Sequence, residues 1–250
     1  ALVRQAAAIS RVAAARPRVV VSIFVNPTQF GSSEDLSRYP RTLEADCRGC
    51  EEAGADVVFA PSVETVYPPG GVVRTPALPE VATRPGLEDA ARPGHFAGVC
   101  QVVLRLFELV KSSHAVFGEK DWQQLQVVRA MVRQEKLPIE IVPGPTVREQ
   151  DGLAMSSRNR FLSAEDRERG LGLIRALKAA QQQKTPDVAE RVMREMLVAG
   201  GITPDYAVVR DAETLAPRGA GEWDQSRAMR AVIAGRSGTV RLLDNVPFRV

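Results

Sequence analysis

Apolar residues in the first 142 positions alternate between helical spacing and short β-branched runs. The pattern predicts helices at 1–15, 42–53, 99–111 and 121–135, each followed by a strand, at 19–25, 56–61, 114–118 and 139–142. Repeated helix-then-strand units predict an α/β fold with a doubly wound parallel sheet. Ligands of such sheets bind beyond the carboxyl ends of the strands. These ends carry NPTQFG, GEKDWQQ and the segment after Val142.

The pattern changes beyond residue 150. Predicted helices at 164–180 and 187–199 precede predicted strands at 205–210, 228–234 and 239–243. We therefore expect two domains, with the parallel sheet in 1–146 and a smaller α+β domain in 147–250. A Pro- and Gly-rich segment at 67–98 is too long for a plain connection, so we expect a lid or an excursion at the sheet edge.

The composition is typical of a globular protein, with 250 residues, 44% hydrophobic and 25% charged, and a formal net charge of +3. Lysines and arginines are interspersed with acids, so nucleic-acid binding is not indicated. No apolar run approaches the roughly 20 residues of a membrane span, and the first residues lack the basic start of a signal peptide. The cytoplasm is therefore the expected location.

The cysteines offer an alternative chemistry. Cys47, Cys50 and Cys100 are an odd number, which argues against a secreted disulfide framework. Cys47 and Cys50 form a C-x-x-C on the predicted helix at 42–53, where they lie one turn apart on one face. The sequence has no second C-x-x-C and no histidine at ligand spacing to complete a zinc site. We interpret the two thiols as incidental and keep a redox or metal module as the alternative.

A basic, hydroxyl-rich segment, MSSRN at 155–159, precedes a predicted helix start at Ser163. Hydroxyl and backbone N–H groups beside a helix start can hold phosphate oxygens, and Arg158 offers a planar fork of donors. Taken alone, the segment fits a solvated turn with a helix cap equally well. The familiar phosphate signatures are absent, because the sequence has neither a P-loop motif nor a G-x-G-x-x-G after a strand.

Several longer blocks occur in one order along the chain. They are SIFVNPTQFGSSEDLSRYPRTLEAD, RPGHFAGVCQVV, FGEKDWQQLQVVRAMV, GPTVREQDGLAMSSRNRFLS and RLLDN. Together they resemble the pantoate:β-alanine ligase family of adenylate-forming, Rossmann-like nucleotidyltransferases. The resemblance implies that pantoate and ATP form pantoyl adenylate and pyrophosphate, and that β-alanine then displaces AMP to give pantothenate. It also implies Mg²⁺ as the cofactor and a homodimer as the assembly.

The resemblance implies an ATP site on two segments and one strand. Its residues would be Gly118, Glu119, Lys120, Asp121, Val147, Met155, Ser156, Ser157 and Arg158. Lys120, Ser156, Ser157 and Arg158 would be catalytic, because cations and donors stabilise charge that develops at transferring phosphates. Asp121 would accept from the ribose or hold its loop, and Val147 would contact adenine through its backbone. Alternatives are a surface ion pair for Lys120 and an ordinary apolar strand position for Val147.

The resemblance also implies a pantoate site at Gln29 and Gln124, with Asn26 shaping the turn that carries Gln29. An amide both donates and accepts, so two glutamines can hold hydroxyl and carboxylate groups without adding charge near the phosphates. The alternative for each residue is an amide that caps a loop. The Mg²⁺ ligands are not assigned, and Asp46 is a candidate outer ligand whose alternative is a solvated helical carboxylate.

One part of the family pattern differs. The family places a Met-Gly-x-Leu-His-x-Gly-His segment after its first strand, and those histidines meet the ATP phosphates. This sequence begins with ALVRQAAAIS, which resembles the family's residues directly after that segment. His95 belongs to the RPGHF block and His114 begins a predicted strand, so neither can take the place of those histidines. We therefore expect either a truncated form without the first strand of the 1–146 domain, or a degenerate relative that binds ligands without turnover.

Overall fold

The β-branched runs form parallel strand pairs in the computed structural model, which describes residues 1–13, 17–29, 42–217 and 227–249. The strands are β1 Val20–Ser22, β2 Val57–Phe59, β3 His114–Gly118, β4 Glu140–Gly144, β5 Thr203–Asp211, β6 Met229–Ser237 and β7 Val240–Phe248. Strand β1 pairs with β2 and β3 pairs with β4, both in parallel. Within the described residues these pairs form two separate ladders instead of one continuous sheet. The predicted α/β class is confirmed.

Helices alternate with strands β1 to β4, and three further helices precede strand β5. The helices are α1 Leu2–Val12, α2 Leu43–Glu52, α3 Val63–Val66, α4 Glu88–Ala91, α5 His95–Val110, α6 Trp122–Gln134, α7 Ala164–Gly170, α8 Gly172–Ala180 and α9 Pro186–Ala199. The last two positions of the first predicted helix, 14 and 15, lie outside the described residues. No helix in the described part of the chain is both long enough and apolar enough to cross a membrane.

The predicted start of α5 at Val99 was wrong, because the helix begins at His95. Gly94 adopts the left-handed conformation, with φ 81°, and turns the chain directly into the helix without a side-chain cap. His95 and Phe96 are both buried, so the first turn is stabilised by packing. Tertiary contacts therefore extended this helix beyond the point where the local pattern predicted its start.

The predicted helix at 164–180 is two helices, α7 and α8, separated at Leu171. Glycines flank the break, and a Cβ on Gly170 would lie 2.8 Å from the side chain of Leu242 on β7. The absence of a Cβ at Gly170 thus lets the end of α7 lie close to the C-terminal sheet. The helix start at Ser163 was predicted correctly, since its hydroxyl accepts a 3.0 Å bond from the N–H of Asp166.

Strands β5, β6 and β7 form an antiparallel sheet in which β6 is central. Each strand has nine residues, several more than the predicted runs. Every residue of β6 except Arg236 is buried, because helices cover the sheet. The apolar core between the sheet and α8 and α9 includes Leu177, Met193, Leu197, Ala207 and Ile233.

The Pro- and Gly-rich segment at 67–98 packs against the body of the protein. Val81, Ala82 and Leu87 are buried in the same apolar cluster as α5 and α6. Gln123 on α6 donates to the carbonyl of Val81 at 2.9 Å and accepts from the N–H of Glu88 at 2.9 Å. The segment is therefore a packed wall in this structure.

Candidate active site

A cavity of about 230 Å³ lies where the segments after β1 and β3 meet α5, α6 and the C-terminal sheet. Five residues predicted from the sequence line it, namely Gln29, Lys120, Asp121, Gln124 and Arg158. The lining also includes residues that sequence reasoning left outside the site, among them Glu88, Arg92, His95, Asp244 and Asn245. Residues that are far apart in the chain thus surround one polar space.

Lys120 lies in a 3-10 turn, Glu119–Asp121, between the end of β3 and the start of α6. Its Nζ lies 3.7 Å from Oδ1 of Asp121, and the two side chains are 19% and 48% exposed. An ion pair at this distance, with one partner half exposed, contributes at most about 1 kcal/mol. Asp121 does not cap α6 through its side chain. The ammonium group is thus loosely paired within the cavity wall.

The backbone of this turn is held from the C-terminal sheet. Asn245 Nδ2 donates to the carbonyl oxygens of Glu119 at 2.9 Å and Lys120 at 2.8 Å. The Glu119 carboxylate pairs with Arg230 at 3.3 Å, and the guanidinium of Arg230 lies 3.4 Å from the ring centre of Trp122. Burial lowers the pKa of Arg230, and the Glu119 charge opposes that effect. Glu119, predicted to bind ATP, therefore has a structural partner and is not in the cavity lining.

The hydroxyl-rich segment forms a second turn, Ser157–Phe161, that Ser156 caps by accepting from the N–H of Arg158 at 3.3 Å. Arg158 is exposed and lines the cavity. Asn159 is buried and donates to Glu149 at 2.6 Å and to the carbonyl of Ala154 at 3.0 Å. The turn is thus anchored at Asn159 while Arg158 remains open to solvent. Ser156 and Ser157 are not in the cavity lining.

Three further residues of the predicted ATP site flank this arrangement. Met155 N–H donates to the carbonyl of Val147 at 2.9 Å, and the two residues are 55% and 40% exposed. Gly118 is the last residue of β3. None of the three is in the cavity lining, so the cavity covers only part of the predicted nucleotide site.

Asn26 holds the turn at Pro27–Gln29. Its side chain is buried, donates to the carbonyl of Gly98 at 3.2 Å and accepts from the Tyr67 hydroxyl at 2.8 Å. Burial raises the pKa of Tyr67. Asn26 is outside the cavity lining, whereas Gln29 belongs to it. This geometry agrees with the interpretation that Asn26 shapes the turn.

His95 supports the same turn from α5. Arg92 can only donate, so its 2.9 Å contact makes Nε2 of His95 the acceptor. Nδ1–H of His95 then donates to the carbonyl of Gln29 at 3.1 Å. Neither Arg92 nor His95 was assigned to the site from the sequence. Both belong to the RPGHF block, which was the signal that could have identified them. Gln124 lies on α6 in the same cavity wall.

The cysteine alternative gains little from the structure. Cys47 and Cys50 are free thiols on α2, and Cys50 is buried. Burial, then the neighbouring Cys47 and Asp46, raises the pKa of Cys50, which disfavours the thiolate that redox chemistry needs. Asp46 is exposed and accepts from the Thr42 hydroxyl at 3.3 Å. The described residues contain no group of three or more His, Cys, Asp or Glu that could hold a metal ion.

The sequence is similar to one known family over almost its whole length. The profile of the family described as pantoate-beta-alanine ligase matches residues 2–247. A pantothenate synthetase of Nocardioides sp. is 48% identical over 243 residues, which cover 92% of this chain and 69% of the relative. A pantothenate synthetase of Xanthomonas euvesicatoria pv. vesicatoria is 48% identical over 236 residues, covering 92% of this chain and 82% of the relative.

Solved structures agree with the sequence similarity. A crystal structure of pantothenate synthetase from Thermus thermophilus superposes with a TM-score of 0.89 at 45% identity, covering 100% of this chain and 88% of that chain. A pantoate-beta-alanine ligase from Francisella tularensis, crystallised with beta-gamma ATP and beta-alanine, superposes with a TM-score of 0.72 at 31% identity. That match covers 92% of this chain and 79% of the other.

Proposed function

This chain belongs to the pantoate-beta-alanine ligase family, and on that premise we propose how its cavity carries out the ligation. A carboxylate oxygen of pantoate attacks the α-phosphorus of ATP, and pyrophosphate leaves. The amine of β-alanine, having lost a proton, then attacks the acyl carbon of pantoyl adenylate, forming the amide and releasing AMP. The observation that carries the proposal is one cavity that combines the cations Lys120 and Arg158 with the neutral amides Gln29 and Gln124.

Lys120 and Arg158 are proposed to meet the charge on the phosphates. They come from two distant turns and line the same cavity, with Lys120 only loosely paired to Asp121. Cations held in advance of the reaction stabilise the negative charge that grows on the leaving pyrophosphate. Arg158 supplies a planar fork, whereas Lys120 acts as a point charge. Ser156 and Ser157 directly precede Arg158 and are proposed to donate to phosphate oxygens through their hydroxyl and N–H groups.

Gln29 and Gln124 are proposed to bind pantoate. Both are neutral groups that donate and accept, so they can pair with hydroxyl and carboxylate oxygens without competing with Lys120 for the phosphates. Asn26 and His95 hold the turn that carries Gln29. Asn26 contacts the side-chain oxygen of Gln29, and His95 donates to its backbone carbonyl. The expected result of this support is a fixed orientation of the reacting carboxylate.

The nucleoside is proposed to lie against the exposed pair Val147 and Met155, next to the segment that leads to Ser156. Adenine would contact the backbone of Val147 and the thioether of Met155. Asp121 would accept from the ribose hydroxyls, and Gly118 and Glu119 would contribute the backbone of the turn that holds Lys120.

Mg²⁺ is proposed to enter bound to ATP. Mg²⁺ sites of this kind use one or two carboxylates together with substrate phosphates and water. The described residues offer no complete protein cage for the ion, so the phosphates of ATP and water would supply most of its ligands. Mg²⁺ would neutralise part of the triphosphate charge. Asp46, an exposed residue on α2, stays a candidate outer ligand.

The arrangement in two domains, 1–146 and 147–250, is also proposed, with the phosphate-binding turn at the start of the second. It is supported by the change from parallel strand pairs to an antiparallel sheet. A homodimer in the cytoplasm is proposed from the family resemblance, and sedimentation of the purified chain would test the assembly. A species sedimenting as a monomer at micromolar concentration would contradict it.

Pantoate-dependent exchange of labelled pyrophosphate into ATP tests the adenylation step directly. With a family-type Met-Gly-x-Leu-His-x-Gly-His segment placed ahead of Ala1, we expect exchange, and a loss on the order of 10²-fold in Lys120→Ala, as for removal of a preorganised donor. Lys178→Ala, an exposed lysine on α8, is the matched control and should retain full exchange. ATP binding without any exchange would overturn the proposed turnover and favour a ligand-binding relative.

The pantoate assignment has a separate test. Gln29→Ala and Gln124→Ala should each weaken pantoate binding by roughly 1 to 3 kcal/mol, because an oxygen of the bound acid loses its partner. Calorimetry should show little change in ATP affinity. Loss of ATP binding with intact pantoate binding would mean that the two pockets were assigned the wrong way round.

A further inference from the structure

Strand β7 carries two adjacent polar residues, Asp244 and Asn245, that are only 4% and 3% exposed. Burying a carboxylate and an amide destabilises a fold unless each group is hydrogen-bonded. Neighbouring side chains on a strand point in opposite directions, so these two can reach different parts of the molecule. Both also line the cavity, and both belong to the RLLDN block, although neither was assigned a role from the sequence.

Asn245 is bonded through every polar atom of its side chain. Its Nδ2 donates to the carbonyls of Glu119 and Lys120, and its Oδ1 accepts from Nε of Arg230 at 2.6 Å. The two donated bonds end on consecutive peptide units of the turn that carries Lys120. An amide is the side chain that can donate twice and accept at the same time in this space.

Asp244 makes the corresponding connection to the second turn. Its carboxylate receives two bonds from Arg148, at 2.6 and 3.0 Å, and one from the N–H of Asn245 at 2.8 Å. Arg148 also donates to the carbonyl of Gly152 at 3.2 Å and pairs with Ala154 in a β-bridge. These contacts close the hairpin that leads directly into Ser156 and Arg158.

We propose that Asp244 and Asn245 are positioning residues that set the separation between Lys120 and Arg158. The proposal rests on the proposed adenylation function. The two cations lie on turns from different parts of the chain, and neither turn is part of a strand. Strand β7 is paired with β6 along its whole length, so one rigid element holds both turns. Displacement of a catalytic group by about 1 Å can lower a rate by 10²-fold.

Asn245→Asp separates positioning from packing. The substitution keeps size and the contact with Arg230, but it removes both donated bonds and places negative charge against the carbonyls of Glu119 and Lys120. We expect the rate of pantoyl adenylate formation to fall about 10-fold or more, with KM for pantoate changed less than about threefold. A loss confined to KM, or an unchanged rate, would overturn the proposal.

Gln181→Glu is the matched control. Gln181, the residue directly after α8, donates to the carbonyl of Pro247 on β7 at 2.8 Å, and it is not in the cavity lining. The same amide-to-acid change at this site should leave exchange activity unchanged. An equal fall in both variants would show that loss of any amide hydrogen bond between β7 and another segment has this effect, and would contradict a specific role for Asn245.

Amide hydrogen exchange supplies a readout that does not need turnover. In Asn245→Asp, amides in 118–122 should exchange several-fold faster than in the unmodified chain, while those of β5 and β6 stay protected. Asp244→Asn should have the corresponding effect on 148–158, because Arg148 loses its charged partner. Unchanged exchange in both segments would overturn the proposal, whereas an inactive unmodified chain with these exchange effects would count against the proposed function alone.

Discussion

The parallel-strand part and the C-terminal sheet contribute differently to the cavity. Strands β1 to β4 have three to five residues, and the proposed binding groups lie on turns that follow them or, for Gln124, on helix α6. Strands β5 to β7 have nine residues each, and β6 is almost completely buried. The chemistry is thus carried on short, accessible segments, while the long antiparallel strands carry the residues that hold those segments.

The difference follows from what each backbone can do. Turns leave peptide groups and side chains free to meet a ligand, which is why binding residues concentrate there. A fully paired sheet opens only at a high free-energy cost, so its side chains keep their positions. In this protein the C-terminal sheet is connected to the binding turns and to α4 by a few buried hydrogen bonds. They are made by Asn245, Asp244 and the Arg241–Glu88 pair.

The largest effect is expected for a cation on a turn. Arg158→Ala should lower the single-turnover rate of adenylate formation on the order of 10²-fold, because it removes a donor fork aimed at developing charge. Arg160 is an exposed arginine in the same turn and is not in the cavity lining. Arg160→Ala is therefore the control, and its rate of adenylate formation should stay near that of the unmodified chain. Equal rates in the two variants would remove Arg158 from the proposed site.

The buried pair between the two parts should dominate stability. Glu88 on α4 receives bonds of 2.6 and 2.9 Å from Arg241 on β7 and 2.7 Å from the Tyr206 hydroxyl. Glu88→Ala leaves Arg241 with Asp205 alone and should lower the free energy of unfolding by roughly 3 kcal/mol. Urea unfolding measures the loss.

The control for that loss is an exposed ion pair. Glu80→Ala breaks the exposed pair with Arg84 and should lower the free energy of unfolding by less than about 1 kcal/mol. A similar decrease in unfolding free energy in Glu80→Ala and Glu88→Ala would show that burial of the ion pair does not determine the size of the loss.

The loss of folding stability at low pH should depend on Glu88. Burial by itself raises the pKa of the Glu88 carboxyl, but bonds and charge from Arg241 and the bond from Tyr206 outweigh it and leave the pKa below its usual value. A lowered pKa contributes stability above the unfolded pKa of about 4.3, and that stability is lost as pH falls through the folded pKa. The difference in unfolding free energy between the unmodified chain and Glu88→Gln should therefore shrink below about pH 4. A constant difference from pH 7 to pH 3 would contradict it.

Gly98 tests the contact between α5 and the turn that carries Gln29. A Cβ at this position would lie 2.5 Å from the carbonyl oxygen of Thr28 and 2.8 Å from the backbone nitrogen of Gln29. Gly98→Ala should therefore displace the turn and cost roughly 1 to 3 kcal/mol of stability, with weaker pantoate binding by calorimetry. Gly49→Ala, on α2 with nothing within 4 Å, should be neutral or slightly stabilising. Unchanged pantoate affinity in Gly98→Ala would show that the turn carrying Gln29 does not contribute to the pantoate site.

The smallest effect is expected at the cysteines. Burial raises the pKa of Cys100 to about 12, so this thiol should resist alkylation in the folded chain. Cys47, which is partly exposed, should react first. The double substitution Cys47→Ser and Cys50→Ser should leave pyrophosphate exchange unchanged, and loss of exchange would revive the redox alternative.

The sequence by itself determined the local elements and the chemistry of the site. Strand β3 has the predicted bounds, and α6 differs from its prediction by one residue at each end, because apolar periodicity and β-branched runs are local signals. The ordered motif blocks identified the family, and the proposed site residues follow from them. The sequence offered only a general reason to expect a shared cavity, namely that ligands bind beyond the carboxyl ends of parallel strands. The residues that share it are Gln29, Lys120, Gln124 and Arg158.

Only the tertiary structure decided which buried polar residues connect the two parts. Asp244 and Asn245 close the RLLDN block, and Glu88 lies in the Pro- and Gly-rich segment, but the sequence does not show which residues they contact. Their partners in other elements lie up to 153 positions away. The early start of α5 and the break at Leu171 have the same origin, since packing overrides local preference there. Long-range pairing of buried polar groups has no local periodicity, so no pattern along the chain could have predicted it.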